Sequence, residues 1–254
     1  MVATRSSTRG ASVEADTPPT PTTTTRRSTR KSNPVAKHWA HTPSHLILVW
    51  LTISLPLVLW DTGYILGRPY TMPGGKWHKP IWGPYSIYCD VDWVYGWKAF
   101  NEQNGFTAAQ AIMNIVETVV YLVYLYLVGV YGQESSQKGR GVPSGNIWTK
   151  SWWGRARTLQ GREAGLAVLV GFSGALMTLS KTVLYALHEH CSGYQHTRHN
   201  DLLTLTLYYI LPNGAWIVFS TLMTWVFGLE LLEGLAIASG EDLRDSKVLA
   251  IKDE

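Results

Sequence analysis

AAQAIMNIVETVVYLVYLYLVGV, residues 108–130, decides the fold. At ~1.5 Å of rise per residue, a helix of this length crosses the ~30 Å hydrocarbon core of a bilayer. Asn114 and Glu117 interrupt its apolar character, and Glu117 stands near the middle. An ionisable group at that depth costs roughly 2.5–3.5 kcal/mol on insertion scales, so it needs a compensating role.

Three more runs of bilayer length flank this one. His45–Leu66 carries Asp61 as its one charged residue, Ala164–Leu187 has Lys181 near its end, and a run from Leu202 to about Glu230 contains Pro212. Four such runs argue against a soluble all-α protein and predict an all-α integral membrane protein, a four-transmembrane-helix bundle. The hydrophobic fraction of 46% looks soluble only because the apolar residues are clustered. With 12 Trp and 13 Tyr, the chain is also rich in the rings that favour the membrane interface.

Between the spans the composition changes. Residues 1–40 are Ser, Thr, Pro and Arg with little apolar surface to offset ordering entropy, and read as a disordered basic tail. No apolar core follows the first charges, so the tail is not read as a signal peptide. Its charge is assigned to topology or anionic lipid, and no nucleic-acid partner is expected. Residues 67–106, with Trp77, Trp82, Trp93 and Trp97, read as a structured loop against the membrane interface. Residues 237–254 form a charged tail. The tail and the loop between spans two and three hold the Arg/Lys excess, which predicts cytosolic N- and C-termini. Cys89 and Cys191 then share the far side; two unpaired thiols are the simpler expectation, a disulfide the alternative.

Each helix carries one polar-aromatic stripe. Asn114, Glu117, Tyr121 and Tyr124 recur at helical spacing, as do Thr178, Thr182 and Tyr185, and again Thr206, Tyr209, Asn213, Trp216 and Ser220. Pro212 lacks the N–H that would bond the Tyr208 carbonyl and is expected to kink span four beside Asn213. Such stripes serve as interhelical glue or as the lining of a ligand cavity; the cavity is preferred. A carboxylate beside Tyr and Trp faces suits a cationic ligand or a carbocation. His188, Glu189, His190, Cys191, His196 and His199 match no common zinc spacing, so no metal and no cofactor are expected. Gly161, Gly165, Gly171 and Gly174 suggest close helix approach in span three.

Three stretches resemble the EXPERA domain family, which includes the emopamil-binding protein, a sterol Δ8–Δ7 isomerase, and the sigma-2 receptor. Ile115-Val116-Glu117-Thr118 is similar to that family's Met/Val-Glu-Thr segment. Val183 to His190, followed by Gly193-Tyr194-Gln195-His196, resembles the isomerase's VLYFLTEH…GFQH. Asn213-Gly214-Ala215-Trp216 resembles its N-A-L-W. The likeness covers about residues 45–236. It implies an endoplasmic reticulum membrane domain, multi-pass, that shifts a C=C bond of a sterol or related isoprenoid lipid by protonation and deprotonation through a carbocation. Glu117 and Asp61 would be the carboxyl groups, Asn213 an orienting amide and Trp216 the π face for the cation. Asn114, Tyr121, Thr182, Tyr185 and Tyr209 would line the ligand site.

The chain also departs from the isomerase. Leu57 stands where the isomerase has a His one turn before its first-helix acid, and the isomerase's additional leading span has no counterpart. The sigma-2 branch likewise has an Asp without that His, and a Pro resembling Pro56. A non-catalytic receptor or chaperone for sterols or cationic amphiphiles is therefore the alternative to the isomerase, and a protonation-initiated isoprenoid cyclase a further one. A homodimer is compatible with the sequence, which does not decide the oligomeric state.

Overall fold

A computed structural model describes residues 39–135 and 156–240. Four long helices dominate it: α1 (His45–Leu66), α4 (Phe106–Tyr131), α5 (Gly161–Cys191) and α7 (Leu211–Ala238). Short α6 (Leu202–Leu205) and a π-helical turn (Thr206–Ile210) lead into α7 to complete a fourth span. All four are long and apolar enough to cross a membrane, and the chain is a multi-pass membrane bundle. Leucine, isoleucine and valine side chains such as Ile53, Leu122, Leu184 and Val218 face outward, as a lipid-facing surface requires.

The packing follows small residues. A Cβ added at Gly171 of α5 would lie 2.7 Å from Cζ of Phe227 on α7. One at Gly174 would lie 2.9 Å from Cε1 of Tyr121 on α4. These two glycines are the close approaches that the glycine spacing suggested. Gly165 makes only ordinary contact with Trp39, at 3.9 Å, and a Cβ at Gly161 would come no nearer than 3.9 Å to Glu163. Gly161 serves instead as a turn, with φ +65°, between a strand and α5. Leu51, Tyr124, Val168 and Phe227 form the fully buried centre of the bundle.

One end is closed by a small antiparallel sheet that the periodicity did not suggest. Strand β3 (Ala156–Gln160) lies between β1 (Ala40–His41) and β2 (Gln133–Ser135). Its register pairs His41 with Leu159 and Glu134 with Arg157. Arg157 donates to the Gly129 carbonyl near the end of α4, where exposed carbonyls favour a cation. Beneath the sheet, His41 Nδ1 meets Glu230 Oε2 at 2.5 Å and its Nε2 meets the Tyr124 hydroxyl at 3.1 Å. Thus Glu230, near the expected end of span four, is paired.

The opposite end is closed by residues 67–105, which hold α2 (Tyr85–Val91) and α3 (Trp97–Asn101). Tryptophan N–H groups tie this segment to itself and to α1. Trp60 donates to Ile81 O at 3.1 Å, Trp82 to Trp60 O at 3.2 Å and Trp97 to Pro73 O at 3.2 Å. Buried His78 bridges Thr71 O and Ser86 Oγ, both at 2.8 Å. Cys89 is buried and Cys191 exposed, and both are free thiols.

Helices α5 and α7 pack along their length, and α4 contacts both α1 and α5, whereas α1 and α7 meet at few points. Their main contact is Trp50, stacked on Phe219 at 4.1 Å and edge-on to Trp216 at 5.1 Å. Toward the α2 end the two helices leave room between them.

Candidate functional site

That room is a cavity of about 430 Å³, within the range of small-ligand sites. Helix α1 contributes Leu57, Val58, Trp60 and Asp61; α4 contributes Gln110 and Asn114; α5 contributes Lys181, Thr182 and Tyr185. Tyr208, Pro212, Asn213 and Trp216 close the side toward the fourth span. The α2 region supplies a roof of Pro84, Tyr85, Ile87, Tyr88 and Tyr95.

Of the residues singled out in the sequence, Asp61, Asn114, Thr182, Tyr185, Asn213 and Trp216 line this one cavity. Four helices and about 150 residues of chain bring them together. Glu117, Tyr121 and Tyr209 are not in its wall. Glu117 Oε2 lies 2.8 Å from Lys181 Nζ, and Lys181 also donates to Asn114 Oδ1. The carboxylate in the middle of span two is therefore neutralised by a lysine from span three, which compensates its insertion cost. Tyr121 shares a 2.9 Å hydrogen bond with Thr178 Oγ1 between α4 and α5. Tyr209 packs its ring on Tyr185, centroids 5.9 Å apart, and its carbonyl accepts from Asn213 Nδ2 at 2.8 Å.

Among the described residues, Asp61 is the one carboxylate in the cavity wall. Its Oδ1 accepts from the Tyr85 hydroxyl at 2.7 Å, and the Tyr95 hydroxyl reaches the same group. Burial raises the pKa of both tyrosines, so each stays a protonated donor. The rings of Trp60 and Trp216 share the cavity with this carboxyl group. Leu57, one turn earlier, adds an apolar surface.

Pro212 shapes the far wall. It lacks the N–H that an α-helix would use at that point, and the turn before it widens into the π form over Thr206–Ile210. The Asn213 amide satisfies the Tyr209 carbonyl, which keeps its own carbonyl oxygen for other partners.

Sequence reasoning did not assign Lys181, Tyr85, Tyr88, Tyr95 or Asp92 to the site. Lys181 carried a signal: three residues after Thr178 and four before Tyr185, it lies on the stripe of span three. The roof residues carried none, because an aromatic-rich loop reads alike whether it lies on lipid or on a cavity. Asp92 is buried and accepts from the Tyr185 hydroxyl and, at 3.1 Å, from Val94 N. Burial pushes its pKa up to about 6, against those two hydrogen bonds.

A second polar group lies just beyond Tyr185. His188, Glu189 and His196, to which the sequence spacing assigned no metal, bring their ligand-type atoms within 4.8 Å of one another. The spacing fails to show this because residues 192–200 turn back on the end of α5. Compared with known proteins, the chain matches no protein-family model, no curated protein and no solved structure. Fold and site together define a membrane-embedded helical bundle with a buried polar cluster suited to an intramembrane binding or catalytic site.

Proposed function

We propose that this chain binds a sterol or related isoprenoid lipid in the cavity, with Asp61 meeting a positive or strongly polar centre on the ligand. The observation that carries this reading is the Asp61 carboxylate held by Tyr85 inside an aromatic chamber of about 430 Å³. A carboxylate and ring faces both attract cations, and a desolvated site strengthens that attraction. The reading corresponds to the sigma-2-like branch of EXPERA-type bundles. Leu57 in the cavity wall and the pairing of Glu117 with Lys181 favour it over catalysis. The Arg/Lys distribution supports cytosolic termini, and an endoplasmic reticulum location rests on the EXPERA resemblance alone.

The joint presence of Asp61, Asn213 and Trp216 in one cavity supports a second reading, a Δ8–Δ7-type sterol isomerase. Here Asp61 would exchange protons and Trp216 would face the carbocation.

Both readings are tested on the detergent-purified chain by titration with a tertiary-amine amphiphile and by incubation of a Δ8 sterol in deuterated water. Asp61→Asn is expected to weaken amine binding at least about thirtyfold, as for loss of one partner of a buried charged pair. Amine affinity unchanged in that variant rejects the binding site. Deuterium at C9 of a Δ7 product, absent with Asp61→Asn, establishes the isomerase.

A further inference from the structure

The polar group at the end of α5 is not used by the cavity. His188 and Glu189 lie in the last turn of that helix, and the following turn returns His196 to them. Glu189 and His196 are buried, at 4% and 5% exposure. The two oxygens of Glu189 are held unequally. Oε1 accepts from Thr197 Oγ1 at 2.8 Å, Thr197 N at 3.0 Å and His196 N at 3.2 Å. Among the described residues, Oε2 has one partner, His196 Nδ1, at 2.7 Å. One oxygen is thus fixed by the chain, while the other shares a proton with an imidazole nitrogen.

His188 completes the group. Its ring lies flat on Phe106, centroids 4.0 Å apart, and near-parallel to the His196 ring at 5.5 Å. Among the described residues, no hydrogen bond engages either of its nitrogens. Two imidazoles and one carboxylate suit a divalent transition metal of the zinc type, with a fourth position for water. The Thr197 hydroxyl and two backbone N–H groups already orient the carboxylate from behind, as outer-shell partners do around metal ligands.

We propose that His188, Glu189 and His196 form a zinc-class metal site. On binding, the proton between His196 Nδ1 and Glu189 Oε2 leaves to solvent, and the ion takes its place with His188 as third ligand. The ion ties residues 192–200 to α5 on the far side of Tyr185 from the cavity. This inference is independent of which lipid the cavity takes.

The test is competition between the full-length protein and a chromophoric chelator for added zinc. One equivalent is expected to move to the protein. His188→Phe keeps a ring on Phe106 and removes one ligand, and is expected to weaken uptake at least about tenfold, the loss that even an outer-shell change produces. Changing His190 and Cys191 together to Ala and Ser is expected to leave uptake unaltered. The zinc X-ray absorption spectrum of the unmodified protein, which needs no variant, should show nitrogen and oxygen ligands only. Failure of the protein to take zinc, unchanged uptake with His188→Phe, loss with the His190/Cys191 variant, or sulfur in the absorption spectrum would each overturn the assignment.

Discussion

Lys181 is the ion-pair partner of Glu117. A carboxylate in mid-span reads as an active group, but its lysine partner 2.8 Å away makes it one half of a buried pair that also holds Asn114. Removing one partner of such a pair leaves an uncompensated charge, at a cost of roughly 3–5 kcal/mol. Lys181→Met should therefore lower thermal stability in detergent by that order, and adding Glu117→Gln should restore most of it. If the double variant is no more stable than the single one, the pair is not what holds these helices. Asp92 supplies a pH-dependent counterpart. Unfolded, it releases its proton near the ordinary aspartate value; folded, burial holds the proton until about pH 6. Between those values the folded state binds more protons, so stability falls as pH rises through the window. Relative to the unmodified protein, Asp92→Asn should gain about 2 kcal/mol between pH 4 and pH 7. Denaturation at both pH values measures that difference directly, and equal stabilities of the two proteins at each pH would contradict it.

Element packing is set by surfaces more than by charges. Gly171 lets α5 and α7 approach until the Phe227 ring sits where a methyl would go. Phe227 is fully buried and cannot swing aside. Gly171→Ala should cost roughly 1–3 kcal/mol through overpacking. Gly129→Ala, with nothing within 4 Å of the added methyl, should be neutral or slightly stabilising, as helix propensity dictates. Comparing the melting temperatures of the two variants checks the assignment, and equal effects would contradict it. The π-helical turn before Pro212 is a different kind of element feature. It reconciles a missing N–H with a continuous span and leaves Asn213 in the cavity wall.

Across the whole molecule, the sheet end and the α2 end face opposite ways because each long helix reverses direction at a connection. Cys191 is exposed at the α2 end, while Cys89 is buried with its thiol hydrogen-bonded to Tyr64 and held protonated by a pKa pushed up to about 11. A membrane-impermeant maleimide should therefore label Cys191 alone, and only from the side opposite the sheet end. Labelling from the sheet side would contradict the crossing of α5.

Much of this architecture was legible in advance. Span existence and order follow from apolar runs because hydrocarbon leaves a backbone no other partner than itself, so length and composition suffice. Helical spacing likewise placed Asn114, Thr182, Tyr185, Asn213 and Trp216 on inward faces, and the structure converges them with Asp61 on one cavity. Which of two acids would reach that cavity was beyond any such rule. It depends on Lys181 bridging from α5 to Glu117 on α4, and on Tyr85 arriving over Asp61 from a segment without periodicity. The return of His196 to Glu189 is of the same kind. Periodicity along one helix is a local property, written in residue spacing; the pairing of charges between helices depends on distances across space, which follow from how the helices pack.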